Sequence, residues 1–229
     1  MTSALAIFRS ARPCTGSAWY ALGVLLLLSF LGACSLPTLG KQPASVRQSW
    51  QLQDERATVP APVAGDRPCL TLRVNAAGSA PGFTTERMAY TTQAQRLDYF
   101  AYHEWVDTPA RMLAALMESR LDASGLFGAV VSGSPEIKTT LRLDAELLRL
   151  QQDFTGTGSA VNLAIKVKLI DVPGRALLDV KTFSYSEAAA DANPEAGVDA
   201  ANRAAGRFLA ELTTWVAASI DRIDCPPPG

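Results

Sequence analysis

From Ile137 to Tyr185 apolar residues recur at nearly every second position, and this period constrains the fold more than any other feature of the chain. Ile137, Thr139, Leu141, Leu143 and Ala145 alternate with Lys138, Thr140, Arg142, Asp144 and Glu146. Val161, Leu163, Ile165, Val167 and Leu169 repeat the pattern against Asn162, Lys166 and Lys168. Successive side chains of a strand point to opposite faces, so the alternation builds half-buried strands and excludes amphipathic helix here. The phase slips at Leu147-Leu148, which predicts a β-bulge. Val172-Pro173-Gly174-Arg175 predicts a turn, with Leu178 to Tyr185 returning antiparallel. Thr155-Gly156-Thr157-Gly158-Ser159 lies between two alternating segments and precedes no helix, so it reads as a hairpin connection rather than a phosphate cradle.

The period changes on either side. Thr108 as N-cap and Pro109 in the first turn open a helix whose apolar stripe is Leu113, Leu116, Met117 and Leu121, and Gly125 stops it. Asn193 and Pro194 open a second helix with the stripe Ala205, Phe208, Leu209, Leu212, Trp215, Val216 and Ile220. Gly197 and Gly206 predict fraying or a break in its first turns. Upstream, Trp50-Gln51-Leu52, Leu70–Val74 and Arg87–Thr92 are short candidate strands. Leu97–Trp105 is crowded with Tyr99, Phe100, Tyr102 and Trp105. Strands, helix, strands, helix make one α/β domain with a mixed sheet covered by at least two helices.

The 229 residues are 48% hydrophobic and 19% charged, enough apolar material for a core and too much for wholesale disorder. A net charge of −1 with no run of like charge gives no footprint for nucleic acid. One histidine and four cysteines leave little for zinc or a histidine-based triad, and neither a metal nor a cofactor is expected. The chain has no G-x-S-x-G, Walker, G-x-G-x-x-G or H-E-x-x-H motif. Asp144 and Glu146 read as a solvated strand face and His103 as a satisfied structural histidine. No catalytic residue is expected, and the protein is not expected to be an enzyme.

The N-terminus carries an address. Arg9 and Arg12 precede an apolar run from Ala18 to Phe30, which is shorter than the roughly 20 residues that span a bilayer. Leu31-Gly32-Ala33-Cys34 then resembles the bacterial lipobox. That resemblance implies cleavage after residue 33 and acylation of Cys34, palmitate included, and several acyl chains hold a protein on a membrane permanently. Ser35 in place of aspartate implies export to the periplasmic face of the outer membrane. Residues 1–33 form the signal peptide, 34–48 a flexible tether, 49–225 the domain and 226–229 a disordered tail. Ala57–Pro68 is a second loose stretch. Removing the signal takes away two arginines and no acids, which leaves a mature net charge of −3.

Cys14 leaves with the signal and Cys34 is capped. Cys69 and Cys225 remain in an oxidising compartment, where a disulfide between them is expected and two separate buried thiols are the alternative.

Tyr99-Phe100-Ala101-Tyr102-His103-Glu104-Trp105-Val106-Asp107-Thr108-Pro109 leads straight into the first helix. With the lipobox, the Trp50-Gln51-Leu52 strand and the terminal amphipathic helix, it resembles the ABC-type transport auxiliary lipoprotein family, PqiC among its members. The resemblance implies a three-layer α/β domain with a mixed, largely antiparallel sheet of about five strands. It also implies an accessory role beside an MCE-domain protein and an ABC or PqiA-like permease that move lipid between two membranes. A homo-oligomer is compatible with this, and no nucleic acid enters. Tyr102 and Trp105 are the candidate partner contacts, because aromatic side chains anchor interfaces; the competing role is to seal the core. The alternatives are a lipoprotein that carries lipid or lipoprotein in an apolar cavity, and a structural subunit of an envelope-assembly complex.

Overall fold

The computed structural model describes residues 46–54, 69–75, 77–133, 136–221, 223 and 225. The signal peptide, Cys34, most of the tether, Ala57–Pro68 and the 226–229 tail lie outside the described residues.

The long alternating segments form the frame. Strands β7 (Leu141–Asp153), β8 (Ala160–Asp171) and β9 (Ala176–Ala188) make an antiparallel meander. Leu141, Leu143, Leu147, Val167 and Leu169 are each no more than 1% exposed. Arg142, Asp144 and Lys168, which alternate with them, face water or lie half-buried. The slip at Leu147-Leu148 is a register shift between Leu147 and Arg149, with Leu148 as the extra residue. The Thr155–Ser159 segment is the hairpin connection: Asp153 Oδ1 accepts from the Thr155 backbone N–H at 2.9 Å and from its hydroxyl at 2.7 Å.

The other edge of β7 is shared by three short parallel strands in succession. These are β2 (Thr71–Val74) at Leu141–Leu143, β3 (Gly78–Ser79) at Glu146–Leu147, and β4 (Arg87–Thr91) at Gln151–Asp153. Outside β2 lies β6 (Ala129–Ser132), also parallel. Outside β4 lie the antiparallel β5 (Asp98–Trp105) and then the parallel β1 (Gln48–Trp50). The sheet therefore has nine strands, not about five. The difference arises because β2, β3 and β4 divide one edge of β7 among them.

Helix α1 (Pro109–Ala123) packs on β2, β6 and β7, and α2 (Pro194–Ile220) on β7, β8 and β9; the two helices touch each other. Both bury their stripes against the same apolar face, where Leu113, Met117, Leu121, Phe208, Leu209 and Leu212 join the core. The domain is thus two layers, not three, since among the described residues no helix covers the opposite, partly charged face. Phe183 meets Phe208 and Trp215 edge-on at 5.3 and 5.8 Å, contacts worth about 0.5–1.5 kcal/mol each beyond area burial. No helix among the described residues is long and apolar enough to cross a membrane.

The two helix starts differ. Asn193 Oδ1 accepts from Ala196 N–H at 2.8 Å, whereas the Thr108 side chain makes no capping bond. Gly125, at φ 66°, ends the α1 segment in the left-handed region that suits glycine. The break expected near Gly197 and Gly206 does not occur: α2 runs unbroken for 27 residues, and both glycines are buried. Gly197 sits where the helix meets Gln152 of β7, so its missing side chain serves packing.

Candidate functional site

The aromatic run of β5 is where the sheet departs from regular pairing. Arg87 of β4 pairs with Glu104, and two residues later Ala89 pairs with Tyr99. Between these pairs β4 spends one residue and β5 spends four, so Phe100–His103 arches away from β4. Tyr102 sits on the arch, 53% exposed, with Ala101 exposed beside it and Val106 at 54% just past the strand.

The arch is braced rather than loose. β1 pairs along it, Gln48 opposite His103 and Trp50 opposite Trp105, and Val106 N–H donates to Trp50 C=O at 2.8 Å. The Trp50 indole N–H donates to His103 Nδ1 at 3.3 Å. His103 Nδ1 lies 4.0 Å from Glu195 Oε1, at the start of α2. Phe100 meets His103 edge-on at 6.0 Å and Tyr90 at 4.5 Å, and Phe154 closes the cluster at 6.0 Å from Tyr90. Glu104 binds Arg47 at 2.8 Å and accepts from the Ser49 hydroxyl at 3.3 Å. On the far side Tyr99 donates its hydroxyl to Gly82 C=O at 3.0 Å beneath the Arg87 guanidinium.

The two residues singled out in sequence part company here. Trp105 is only 4% exposed and belongs to the core, its backbone N–H bonded to Glu86 C=O at 2.7 Å. A surface contact through Trp105 is corrected on that ground: it lies past the arch, where β5 has rejoined the sheet and its side chain points at the helices. Tyr102 is available to a partner. The arch itself was not legible in sequence, because it depends on where β4 pairs.

Cys69 and Cys225 are joined as a disulfide with Cα atoms 5.8 Å apart. The bond holds the chain beyond α2 against the start of β2. Ahead of it, a buried ion pair pins the segment after β1: Arg120 of α1 donates Nε–H to Asp54 Oδ2 at 2.8 Å, with side chains only 5% and 11% exposed.

One hydrogen-bonded pair on the helix side of the sheet, Glu211 and Tyr185, is shifted from its usual titration range. The carboxyl of Glu211 is held below its usual range by hydrogen bonds from Lys181 and then Tyr185. The Tyr185 phenol is pushed well above its usual value by burial first, then by its 2.5 Å bond to Glu211. Both lie where the polar inner side of β9 meets α2. They bind the sheet to the helix and face no cleft. Among the described residues no group of three or more His, Cys, Asp or Glu could hold a metal ion. Asp144 is occupied by Asn75 at 2.6 Å and Arg142 at 3.1 Å.

A mixed sheet with both helices on one face and a braced aromatic arch at its edge defines an α/β domain of two layers. Comparison with known proteins gives the family. The model of the ABC-type transport auxiliary lipoprotein component matches residues 50–213, and the chain belongs to that family. A solved protein from Xanthomonas campestris, assigned to the family model DUF330, is similar at TM-score 0.64 and 18% identity, over 76% of this chain and 94% of that one. A second solved protein, described only as uncharacterized, is similar at TM-score 0.59 and 12% identity, over 75% and 99%. At these identities the likeness is one of fold. None of the curated proteins compared with it matches this chain.

Proposed function

We propose that this protein is a non-enzymatic docking component of an intermembrane lipid transport system. Acyl chains on Cys34 hold it to the periplasmic face of the outer membrane. Its partners are an MCE-domain protein and, through it, an ABC or PqiA-like permease. The observation that carries the reading is the family match across residues 50–213, whose description is a transport auxiliary lipoprotein. The lipobox ending at Cys34 supports the anchor, and Ser35 supports the outer membrane. The braced arch supports docking, since it holds Tyr102 out of the fold at little further entropic cost on binding.

A lipid carrier needs an apolar cavity of several hundred Å³. The apolar hollow between Met88, Phe100, Trp105, Leu150, Val161 and Ala201 measures about 10 Å³, room for one water, and the larger hollows of about 360 to 490 Å³ are open surface grooves lined by polar and charged side chains such as Arg96, Asp153 and Lys138. That favours docking over carriage.

The test is crosslinking of the lipidated protein in outer-membrane fractions, followed by mass spectrometry. Recovery of an MCE-domain protein is the expected result. Recovery of lipid alone, or of unrelated envelope proteins, overturns the assignment.

A further inference from the structure

The face of the sheet that carries no helix is not uniformly polar. Register places Arg142 of β7, Ile170 of β8 and Leu177 of β9 in one row across three strands, and Asp144, Lys168 and Val180 in the next. Leu177 is 58% exposed, Val180 44%, and Leu178, left unpaired by a bulge, 38%. Val172 of the β8–β9 turn and Ile137 are also open to solvent, and they border a hollow shared with the cations Arg73, Lys138 and Arg142. Arg175 closes the turn, exposed and at φ 50°. Five of the eight large apolar side chains exposed among the described residues, Ile137, Val172, Leu177, Leu178 and Val180, thus gather around one end of the β7–β9 meander.

We propose that this end of the open sheet face is a contact surface for an anionic lipid bilayer. Aliphatic side chains interleaved with lysine and arginine suit a headgroup layer, where the chains sink and the cations meet phosphate. A protein partner is the poorer match, because the patch contains no aromatic residue and protein interfaces deplete lysine while enriching tyrosine and tryptophan. Arg142 is paired with Asp144 at 3.1 Å, so the cations that meet phosphate are the exposed Lys138, Lys168 and Arg175, which turn this face of a net negative mature chain toward a negative membrane. The surface rests on the anchoring reading for its leash. The twelve residues from Cys34 to Ser45 reach at most about 40 Å, while the patch lies about 30 Å from β1, five strand spacings or about 24 Å across the sheet and about 20 Å along it from the Gln151 end of β7 toward its Leu141 end. An anchor at Cys34 therefore leaves the β9 side free to reach the bilayer.

The test uses the full lipidated protein with vesicles of phosphatidylcholine, alone or with phosphatidylglycerol. Flotation reads the anchor, and amide hydrogen exchange in residues 136–139 and 172–180 reads the surface. The expected result is flotation on both compositions, with exchange slowed in those segments only when phosphatidylglycerol is present and restored by salt. Leu177→Glu abolishes the protection. Lys138→Ser and Lys168→Ser weaken it roughly fivefold each. Flotation on both compositions with no protection overturns the surface and leaves the anchor. Salt-reversible flotation on the anionic vesicles alone supports the surface and removes the anchor, and flotation on neither removes both. Protection that requires added inner-membrane protein assigns the patch to a protein and overturns the proposal.

Discussion

Gly197 of α2 lies against the Gln152 carboxamide so closely that a Cβ built on it falls 2.7 Å from Gln152 Cδ. Gln152 cannot retreat without loss: its Nε2 donates to Ser159 Oγ at 2.9 Å and to Asn193 C=O at 3.0 Å. Two effects then oppose one another in Gly197→Ala. Helix propensity favours alanine by about 1 kcal/mol, while overpacking a fixed neighbour costs about 1–3 kcal/mol. The packing cost is expected to win, lowering stability by about 1 kcal/mol in a denaturant titration. Gly158→Ala, with nothing within 4 Å of its Cβ, is the control and stays within about 0.5 kcal/mol of the parent. A stabilised Gly197→Ala variant would show that α2 does not press on β7 there.

That glycine marks where sequence reading stops. A run such as Val161–Leu169 announces its strand because one face meets the core and the other meets water, and the slip at Leu147-Leu148 announces its bulge for the same reason. Gly197 carries no period, so propensity alone reads it as a weakness, and only the position of Gln152 on another strand reverses the sign. Ala129–Ser132 and Gly78–Ser79 are strands because β2 and β7 offer them an edge, a non-local fact absent from four or two residues. The arch at Tyr102 likewise depends on the β4 register. Sequence named the aromatic run and could not divide it into crest and core.

Trp105 and Tyr102 should separate cleanly on substitution. Trp105→Ala removes a buried indole and is expected to cost about 3–5 kcal/mol in unfolding free energy. Tyr102→Ala is expected to leave stability within about 0.5 kcal/mol of the parent and to weaken capture of the transport partner. Equal thermal shifts for the two would contradict the arch geometry.

Arg120 and Asp54 should be costly apart and cheap together. Arg120→Met removes the guanidinium that meets the buried Asp54 carboxylate and is expected to destabilise by about 3–5 kcal/mol. Adding Asp54→Leu to it removes both charges and is expected to recover most of that loss. A double variant no better than the single one would mean that the pair contributes net attraction beyond its desolvation cost.

Stability should fall off at both ends of the pH range. Glu211 is held below its ordinary 4.5 by Lys181 and then Tyr185, and Asp153 below its ordinary 3.8 chiefly by the Thr155 backbone N–H. For both, the unfolded chain binds protons first as acid is added, so their contribution is complete above 4.5 and drains away as pH falls through and below these values. Tyr185 is raised above its ordinary 10.0, so the unfolded phenol ionises first and stability declines as pH climbs past 10. Glu211→Gln is expected to flatten the acid limb of a melting-temperature profile. Tyr185→Phe is expected to flatten the alkaline one.

The disulfide should matter through the unfolded chain. Cys69 and Cys225 are 156 residues apart, so the bond removes a long loop's freedom before folding begins, an effect of about 5 kcal/mol in the chain-entropy account. Cys225→Ser is expected to lower the unfolding free energy by an amount of that order. Part of the loss is local, since Cys225 and Ile223 pack against the core and the C-terminal end is released with the bond. Thiol titration of the mature protein, unfolded without reductant, is expected to find neither Cys69 nor Cys225 free. If both titrate, the contribution reduces to packing alone, and Cys225→Ser should then cost little more than the contact it deletes.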